Sequence, residues 1–387
     1  MAAEITFEIA PENPSPPRRV LIVLLGAIGD VVRALPLIGR IRRVWPGVHL
    51  AWAIEPKSKS VLDNHPWVDQ TIVYDRSRAP LSFAPFLLAI RRGRFDLVLD
   101  LQRHIKSGMV ARVSGAPLRF GFDRANVKEF NYLFSNNHIP PQPSMKLKLL
   151  QYQAFGDALG LPAAPIEFGL RPSEVERARV RALLEGLARP LLGVILGSSW
   201  PSRIYAPEAI ADVVRELASP DGRAPALFPI LIGGNDDSAL AAAVAANLRS
   251  TPLLNLAGRT GLRDLVAIFT ECAAAFGPDS GPMHIAAAVG CPVVSLWGST
   301  APERSAPWGF ADYALRGEIP CHPCYLRRCP IDRECMHRIA PVAVAAAVRR
   351  ALAAHPEPRI DIAAGIETCN GAAAATAHLP IADRMRT

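Results

Sequence analysis

Several features common in membrane, secreted and nucleic-acid-binding proteins are missing from this 387-residue sequence. No uninterrupted apolar run approaches the roughly 20 residues that span a bilayer. The first 17 residues contain three glutamates but no lysine or arginine. We therefore expect neither a membrane-spanning helix nor a secretory signal. Zinc-finger spacings, helices rich in lysine and arginine, and basic strands with interleaved aromatic residues are also missing, so nucleic acid is not expected as a partner.

The familiar nucleotide-binding signatures are absent as well. The segment Gly26-Ala27-Ile28-Gly29-Asp30 has neither the glycine spacing of the dinucleotide fingerprint nor the Gly-Lys-Ser/Thr of a Walker loop. The chain also contains no Asp-x-Asp triplet, which a transferase that holds its nucleotide sugar through a carboxylate-bound metal would usually need. A diphosphate would therefore be held by helix N-termini, by arginine or lysine and by loop N–H groups, with no cofactor required.

The seven cysteines are an odd number in a chain without a signal segment, which favours a reducing, cytoplasmic compartment. Four of them lie within fifteen residues: Cys321, Cys324, Cys329 and Cys335. Such a cluster could bind a soft metal or an iron–sulfur centre, but its C-x2-C-x4-C-x5-C spacing is not a standard zinc or ferredoxin pattern. Two interpretations stay open: a structural loop with free thiols, which we favour, and a metal or redox site.

Length and composition favour two domains with a basic surface. Half of the residues are hydrophobic, which is enough for two cores of typical domain size. The formal net charge of +8 favours a phosphorylated small molecule or an anionic membrane as partner. We predict an N-terminal domain over residues 18–165 and a C-terminal domain over residues 173–350, with a proline-rich linker near residues 161–172. Residues 1–17 and 356–387 are predicted to be disordered tails.

Strand and helix patterns alternate along both halves, which indicates an α/β fold with parallel sheets and crossover helices. Predicted strands lie at residues 20–25, 48–54, 71–74 and 97–101 in the first half, and at 191–196, 227–232, 253–256, 274–276 and 293–297 in the second. Small and polar residues follow every strand of the second half. Because ligands bind outside the carboxyl ends of strands in open α/β sheets, these loops predict a small-molecule pocket.

Two helix starts carry clear signals. Ser173 and Glu176 predict a capping box for a helix that ends near Leu187. Ser280 is suited to cap a second helix, in which Gly281 permits close approach to the backbone and His284 lies one turn further on. The free N–H groups and partial positive charge of this second helix start suit a phosphate. The alternative is an ordinary capped crossover helix without a ligand.

Other candidate site residues are polar side chains near the same predicted edge. Asp30 opens the first helix of the N-terminal half, where it could be the helix N-cap or a weak general base. Arg203 follows the loop at Ser198-Ser199 and could neutralise a diphosphate or lie on the surface as a solvated charge. Arg103, His104 and Lys106 follow the fourth predicted strand and are candidate acceptor contacts, unless they belong to a solvated loop.

Two motifs together resemble glycosyltransferase family 9, the lipopolysaccharide core heptosyltransferases. Gly29-Asp30-Val31-Val32 with Leu35-Pro36 is similar to the N-terminal signature of the family. Asp279-Ser280-Gly281-Pro282-Met283-His284 with Leu296-Trp297-Gly298-Ser299-Thr300 is similar to the C-terminal one. The resemblance covers residues 18–350 and implies a GT-B fold, in which two Rossmann-like domains with parallel sheets face each other across a cleft.

The resemblance also implies roles for individual residues. Asp30 would be the general base. The donor diphosphate would be held by Asp279, Ser280, Gly281, His284 and Arg203. Arginine stands at position 203 where a lysine is usual, and Tyr205 where a tryptophan is common. The positive charge is kept, but arginine and lysine differ in hydrogen-bond geometry, so the identity of the donor stays open.

The acceptor would bind in the N-terminal domain, and its candidate contacts are Gly29, Arg103, Lys106 and Lys128. Lys128-Glu129 is the nearest match to an Arg-Glu pair that is frequent in the family. The identity of the acceptor therefore stays open.

The sequence thus predicts an inverting glycosyltransferase that moves a heptose or related sugar from an ADP-sugar to a lipopolysaccharide-core-type acceptor. Its expected partners are the nucleotide-sugar donor, the lipid-linked saccharide acceptor and an anionic membrane surface. The expected location is the cytoplasm, peripheral on the inner face of the cytoplasmic membrane. The alternatives are another GT-B nucleotide-sugar enzyme, such as an epimerase, and a non-catalytic metal or redox protein that uses the cysteine cluster.

Overall fold

Residues 16–79, 81–220 and 225–356 are described by the structure, a computed structural model of the chain. Twelve strands in these ranges form two six-stranded sheets. The first sheet contains β1 (Arg19–Val23), β2 (His49–Ile54), β3 (Gln70–Val73), β4 (Leu97–Asp100), β5 (Leu118–Gly121) and β6 (Asn137–His138). The second contains β7 (Leu191–Ile195), β8 (Phe228–Ile232), β9 (Leu254–Asn255), β10 (Cys272–Pro278), β11 (Val293–Trp297) and β12 (Ala314–Arg316). The predicted tails lie almost wholly outside the described residues.

Helices connect and flank these strands throughout the described ranges. They are α1 (Ile28–Val44), α2 (Pro56–Lys59), α3 (Phe83–Arg92), α4 (Ile105–Val113), α5 (Lys148–Ala158), α6 (Glu174–Leu183), α7 (Pro207–Leu217), α8 (Ser238–Asn247), α9 (Leu262–Glu271), α10 (Gly281–Ala288), α11 (Pro302–Ser305), α12 (Glu334–His337) and α13 (Pro341–Ala354). Over the part of the chain that the structure describes, we find no helix with the length and hydropathy needed to cross a membrane.

The two sheets share one topology. All strand pairs are parallel, and the orders are β3-β2-β1-β4-β5-β6 and β9-β8-β7-β10-β11-β12. In each sheet the chain begins at a central strand, moves outward, and then crosses to the other side. The strand order therefore reverses between β1 and β4 in the first sheet and between β7 and β10 in the second, where doubly wound folds bind their ligands.

The first strand and helix show why the sequence adopts this fold. Residues 20–23 are fully buried, because a parallel sheet is covered by helices on both faces. The predicted apolar face of α1 is confirmed, since its residues all pack into the core: Val31, Ala34, Leu35, Ile38 and Ile41.

The carboxyl ends of the two sheets face the same cleft. Helix α1 follows β1, helix α10 follows β10, and the two helices pack directly against each other. Helices α6 and α9 are also in contact. This arrangement confirms the predicted architecture, in which two Rossmann-like units with parallel sheets face each other.

The predicted strands are found within three residues of their expected ends, but three strands were not predicted. These are β5, β6 and β12, which have only two to four residues and carry polar or half-exposed side chains. The capping box is confirmed, because the Ser173 N–H donates to Glu176 and the Glu176 N–H donates to Ser173 Oγ. The helix that it starts ends at Leu183, four residues before the predicted end.

Candidate functional site

Asp30 lies at the first sheet's reversal point, in the first turn of α1. The helix N-cap is Ala27, so the interpretation of Asp30 as the N-cap is wrong. Its carboxylate instead contacts three side chains. Oδ1 accepts from Arg33 Nη2 at 2.6 Å, from Lys148 Nζ at 2.8 Å and from Tyr152 Oη at 3.3 Å. Oδ2 has a single, longer contact among the described residues, to Lys148 at 3.2 Å, and is the oxygen better placed to accept a further proton.

Opposing effects set the charge of Asp30. Burial alone would raise the pKa of this carboxyl, but the positive charges of Lys148 and Arg33 and their hydrogen bonds outweigh burial and hold the pKa well below its usual range. Burial has the largest effect on Tyr152, and together with the Asp30 charge it raises the pKa of that phenol, which therefore stays protonated. Asp30 is thus an anion over the whole physiological range and a weak base.

A cavity of about 160 Å³ opens beside Asp30. Its walls include residues that follow β1 and β4, two residues of α5, and Arg304 from the opposite domain. The described residues that line it are Leu24, Gly26, Asp30, Leu101, Gln102, Arg103, His104, Lys128, Lys148, Tyr152 and Arg304. The cavity therefore combines one carboxylate with several cations, which suits an anionic saccharide.

The predicted acceptor residues do not all reach this cavity. Arg103, His104 and Lys128 line it, and the Arg103 guanidinium lies 4.1 Å from the centre of the Phe122 ring and donates to Gln151. Lys106 is exposed on α4 and does not line the cavity. Gly29 is buried at the domain contact, where an added Cβ would lie 2.6 Å from His284 Cδ2.

The second reversal point is bridged by Arg203 and Asp279. Arg203 Nη1 lies 3.0 Å from Asp279 Oδ2, and its guanidinium stacks on Trp200 at 4.0 Å from the ring centre. The interpretation of Arg203 as a solvated surface charge is wrong, because its side chain is largely buried. Asp279 Oδ2 also accepts from Thr300 Oγ1 at 2.8 Å. The loops after β7, β10 and β11 thus meet at one point.

The helix start at Ser280 is as predicted, but the serine does not cap it. Ser280 occupies the N-cap position with extended backbone and makes no side-chain capping bond. Its Oγ is buried and has no hydrogen-bond partner among the described residues. A buried hydroxyl without a partner is costly unless a ligand or water completes it.

Gly281 is indeed approached closely, by another part of the same chain. A Cβ at Gly281 would lie 2.7 Å from Ile28 Cγ2. The N-termini of α1 and α10 therefore touch at Gly281 and at Gly29, and in both places the missing side chain makes room for the opposite domain.

His284 was expected to donate to an anion, but its Nε2 faces a cation of the opposite domain. Arg33 Nη1 lies 2.6 Å from His284 Nε2, and because arginine can only donate, Nε2 accepts and the proton of the neutral ring is on Nδ1. Burial and the positive charge of Arg33 hold the pKa of His284 well below its ordinary value. His284 is therefore neutral, with Nδ1 as its remaining donor.

The cysteine cluster lies against the loops of the second reversal point. Its segment is attached by Tyr325 N–H to Ser299 O at 2.7 Å and by Ser202 Oγ to Leu326 O at 2.6 Å. Burial has the largest effect on the Cys335 thiol and raises its pKa, and the nearby Cys329 raises it further. Within the described ranges, no three histidine, cysteine, aspartate or glutamate side chains are grouped so that they could hold a metal ion.

A larger cavity, about 480 Å³, lies at the opposite edge of the second sheet. It is bordered by the beginnings of β7, β10 and β11, and its described lining includes none of the predicted site residues. Since ligands bind at the carboxyl ends of parallel strands, the cleft between the domains is the better candidate site despite its smaller volume.

Four ionisable residues that contact Asp30 or line its cavity were not predicted from the sequence: Arg33, Lys148, Tyr152 and Arg304. Arg33 follows Asp30 by three positions on a helix, a spacing from which their contact could have been expected. Lys148 and Tyr152 are one turn apart on α5 and more than a hundred residues from Asp30, so only the packing of α5 on α1 brings them there.

Two facing domains whose six-stranded sheets share one doubly wound topology, with a site between their carboxyl edges, have the GT-B fold. The family model described as "Glycosyltransferase family 9 (heptosyltransferase)" matches residues 85–334. The chain belongs to glycosyltransferase family 9 and is a glycosyltransferase of its heptosyltransferase group.

Individual relatives agree with this assignment. The chain is 27% identical over 323 residues to lipopolysaccharide heptosyltransferase 1 of Pseudomonas aeruginosa, covering 80% of this chain and 87% of the relative. A family 9 glycosyltransferase from Veillonella parvula superimposes with a TM-score of 0.72 at 20% identity, over 87% of this chain and 97% of that one. The ADP-heptose lipopolysaccharide heptosyltransferase II of Escherichia coli gives a TM-score of 0.68 at 21% identity, over 88% and 100%.

Proposed function

We propose that this protein transfers a heptose, with inversion at the anomeric carbon, from ADP-heptose to a sugar hydroxyl of a lipopolysaccharide-core-type acceptor. The names of the relatives support this choice of donor and acceptor, since they include lipopolysaccharide heptosyltransferases and an ADP-heptose-dependent enzyme. The observation in this chain that carries the proposal is the buried Ser280 hydroxyl, which has no partner among the described residues and lies at the N-terminus of α10.

The donor diphosphate would bind at the second reversal point. The N–H groups at the start of α10 and the Ser280 hydroxyl can donate to phosphate oxygens. Arg203 supplies a positive charge beside them, and its Nε is buried without a partner in the part of the chain described. His284 can donate from Nδ1 while Arg33 occupies Nε2. Charge that develops on the leaving ADP is thereby stabilised by groups of this chain, with no metal required by the proposal.

The acceptor would bind in the cavity beside Asp30. Its attacking hydroxyl oxygen forms a bond to the anomeric carbon while the bond from that carbon to the diphosphate oxygen breaks, and the electron pair leaves with ADP. The hydroxyl proton passes to Asp30, for which Oδ2 is the better placed oxygen. Because Asp30 is a weak base, the proton moves late, after the acceptor oxygen has gained positive character.

The cations of the site match these charges. Lys148 and Arg33 keep Asp30 ionised, which keeps it able to take a proton. Arg103, Lys128 and Arg304 line the cavity and are suited to anionic groups of an acceptor. We propose that Gly29 acts by permitting the domain contact and that Lys106 lies outside the immediate acceptor site.

We further propose a cytoplasmic protein that works at the inner face of an anionic membrane, where a lipid-linked acceptor resides. The net charge of +8 supports attraction to such a surface.

Calorimetric titration with ADP, UDP and GDP, without added metal, tests the donor site. We expect preferential binding of ADP, and about 10- to 100-fold weaker binding by Ser280→Ala, because a hydrogen bond to a charged group is lost. Ser173→Ala is the matched control, since Ser173 is also a helix N-cap but makes both capping bonds within α6. Failure of all three nucleotides to bind, or equal affinity of Ser280→Ala and wild type, would reject the proposal.

A further inference from the structure

Large apolar side chains are exposed on two neighbouring segments of the N-terminal domain. Phe130 and Leu133 are 66% and 65% exposed, and Ile105 and Met109 are each 38% exposed. Ile105 and Met109 are one turn apart and share a face of α4. Phe130 and Leu133 are three residues apart at a 3-10 turn, a spacing that places side chains on the same side.

The two segments form one continuous surface. Asn131 Nδ2 donates to the His104 carbonyl at 2.8 Å, and the Ile105 N–H donates to Glu129 Oε2 at 3.2 Å. The 3-10 turn also packs on α4 at Gly108, where an added Cβ would lie 2.7 Å from Phe134 Cδ2. We call the exposed apolar residues of these segments, Ile105, Met109, Phe130 and Leu133, the α4 surface.

Positive charge is concentrated around the α4 surface. Residues 101–150 contain eight lysines and arginines against two acidic residues, so most of the net charge of +8 falls in this part of the sequence. Lys106, Arg112, Arg124 and Lys128 are exposed. The carboxylate of Glu129 is occupied by the Ile105 N–H and by His104, 3.5 Å away. An apolar cluster bordered by exposed cations complements an anionic bilayer, in which acyl chains lie beneath negatively charged headgroups.

The α4 surface also adjoins the cavity of the proposed acceptor site. His104 and Lys128 line that cavity, and they are directly followed by Ile105 and, two residues on, by Phe130. A bilayer in contact with the α4 surface would therefore lie beside the cavity mouth, where a lipid-linked acceptor projects its saccharide.

We propose that the α4 surface docks on an anionic lipid bilayer, with Phe130 and Leu133 inserted among the lipids and the surrounding cations on the headgroups. The proposal rests on the proposed function for its orientation, because docking here brings the Asp30 cavity to a membrane-bound acceptor. The lipid contact itself is a separate property that can be measured without any transfer reaction.

Vesicle flotation of the full chain tests the proposal. Wild type should bind phosphatidylcholine vesicles that contain about one third phosphatidylglycerol at least about tenfold better than vesicles of phosphatidylcholine alone. Phe130→Ser/Leu133→Ser should lower binding to the anionic vesicles about tenfold or more, because the inserted apolar area is lost. Arg112→Gln/Arg124→Gln should reduce binding at low salt and make it less sensitive to added salt.

Val175→Ser/Val342→Ser is the matched control, since these valines are 79% and 68% exposed on α6 and α13, outside the α4 surface. It should float with vesicles as wild type does.

Equal flotation of the Phe130/Leu133 variant and wild type would overturn the proposal. The proposal would also be overturned if wild type sedimented as a dimer and this variant as a monomer with no loss of vesicle binding, because the occupant of the α4 surface would then be a second copy of the chain. ADP binding is measured in parallel: its absence with intact vesicle binding would reject the proposed function alone.

Discussion

Arg33 Nη1 lies 2.6 Å from His284 Nε2, so a helix of one domain is hydrogen-bonded across the cleft to a helix of the other. Through Nη2, the same guanidinium contacts Asp30 at 2.6 Å. One buried side chain thus connects the proposed base with the proposed donor site, and it fixes the position of both.

Arg33→Met should impair both catalysis and folding. The substitution leaves Asp30 with Lys148 as its cation and removes the contact to His284, so we expect kcat to fall about tenfold or more with a smaller change in KM. We expect the free energy of unfolding to fall by about 1–3 kcal/mol, because buried polar groups lose their partner. Steady-state kinetics and urea unfolding measure both.

Arg43→Met is the control for Arg33→Met on the same helix. Arg43 pairs with Glu167 at 3.0 Å, but both side chains are about half exposed, and such pairs contribute about 0–1 kcal/mol. Similar losses in the two variants would show that any arginine of α1 has this effect and would contradict the role of Arg33.

Asp30→Asn should lower kcat by about 10²–10⁴, the usual contribution of a positioned acid–base group. ADP affinity should stay within a few-fold, because Asp30 lies outside the proposed diphosphate site. The comparison variant is Asp157→Asn, whose carboxylate is exposed and pairs with Arg40 at 2.8 Å. A fall in kcat of less than threefold in Asp30→Asn would return Asp30 to a structural role.

The pKa of His284 predicts loss of stability in mild acid. Its folded-state pKa lies well below the ordinary value of 6.5, so the unfolded chain takes up a proton that the folded chain excludes. The contribution of neutral His284 to the free energy of unfolding is therefore fully present above about pH 6.5. Below that pH it declines by at most about 1.4 kcal/mol per pH unit. Urea unfolding at pH 7.5 and 5.5 should show a smaller decline for His284→Gln than for wild type.

His65 must be tested alongside His284, because burial lowers the pKa of His65 to about 4 and acts in the same direction. His65→Gln should remove its own share of the decline and leave that of His284. If His284→Gln retained the full decline of wild type, the neutral state of His284 would be wrong.

The pKa of Asp100 predicts that stability depends on pH in the opposite direction. Burial raises the pKa of this carboxyl to about 7, despite hydrogen bonds from Asn131 and Ser107. The folded chain therefore binds a proton that the unfolded chain releases above about pH 4, and this contribution to stability is lost as the pH rises from about 4 to 7. Asp100→Asn cannot ionise, so its unfolding free energy relative to wild type should be higher at pH 8 than at pH 5. The same difference at both pH values would show that Asp100 does not titrate in this range.

Much of the fold could be predicted because its central strands are continuous apolar runs followed by small or polar loops. Strands such as β5 and β6 were missed since their few residues are partly polar and are held by their neighbours in the sheet. At the site, the positions of Asp30, Arg203 and Ser280 could be predicted from motifs. Three further residues around Asp30 could not be predicted, because Lys148, Tyr152 and Arg304 reach the cleft only through the packing of distant elements.

The contact between Ile28 and Gly281 has a consequence for donor affinity. The Ile28 side chain lies against Gly281, where an added Cβ would be 2.7 Å from Ile28 Cγ2. In the proposed donor site, a diphosphate that reached the Gly281 N–H would compete with Ile28 for this position, and the apparent dissociation constant of ADP would then depend on the share of molecules in which Ile28 has withdrawn. On this basis we expect Ile28→Ala to tighten ADP binding even though it removes part of the domain contact.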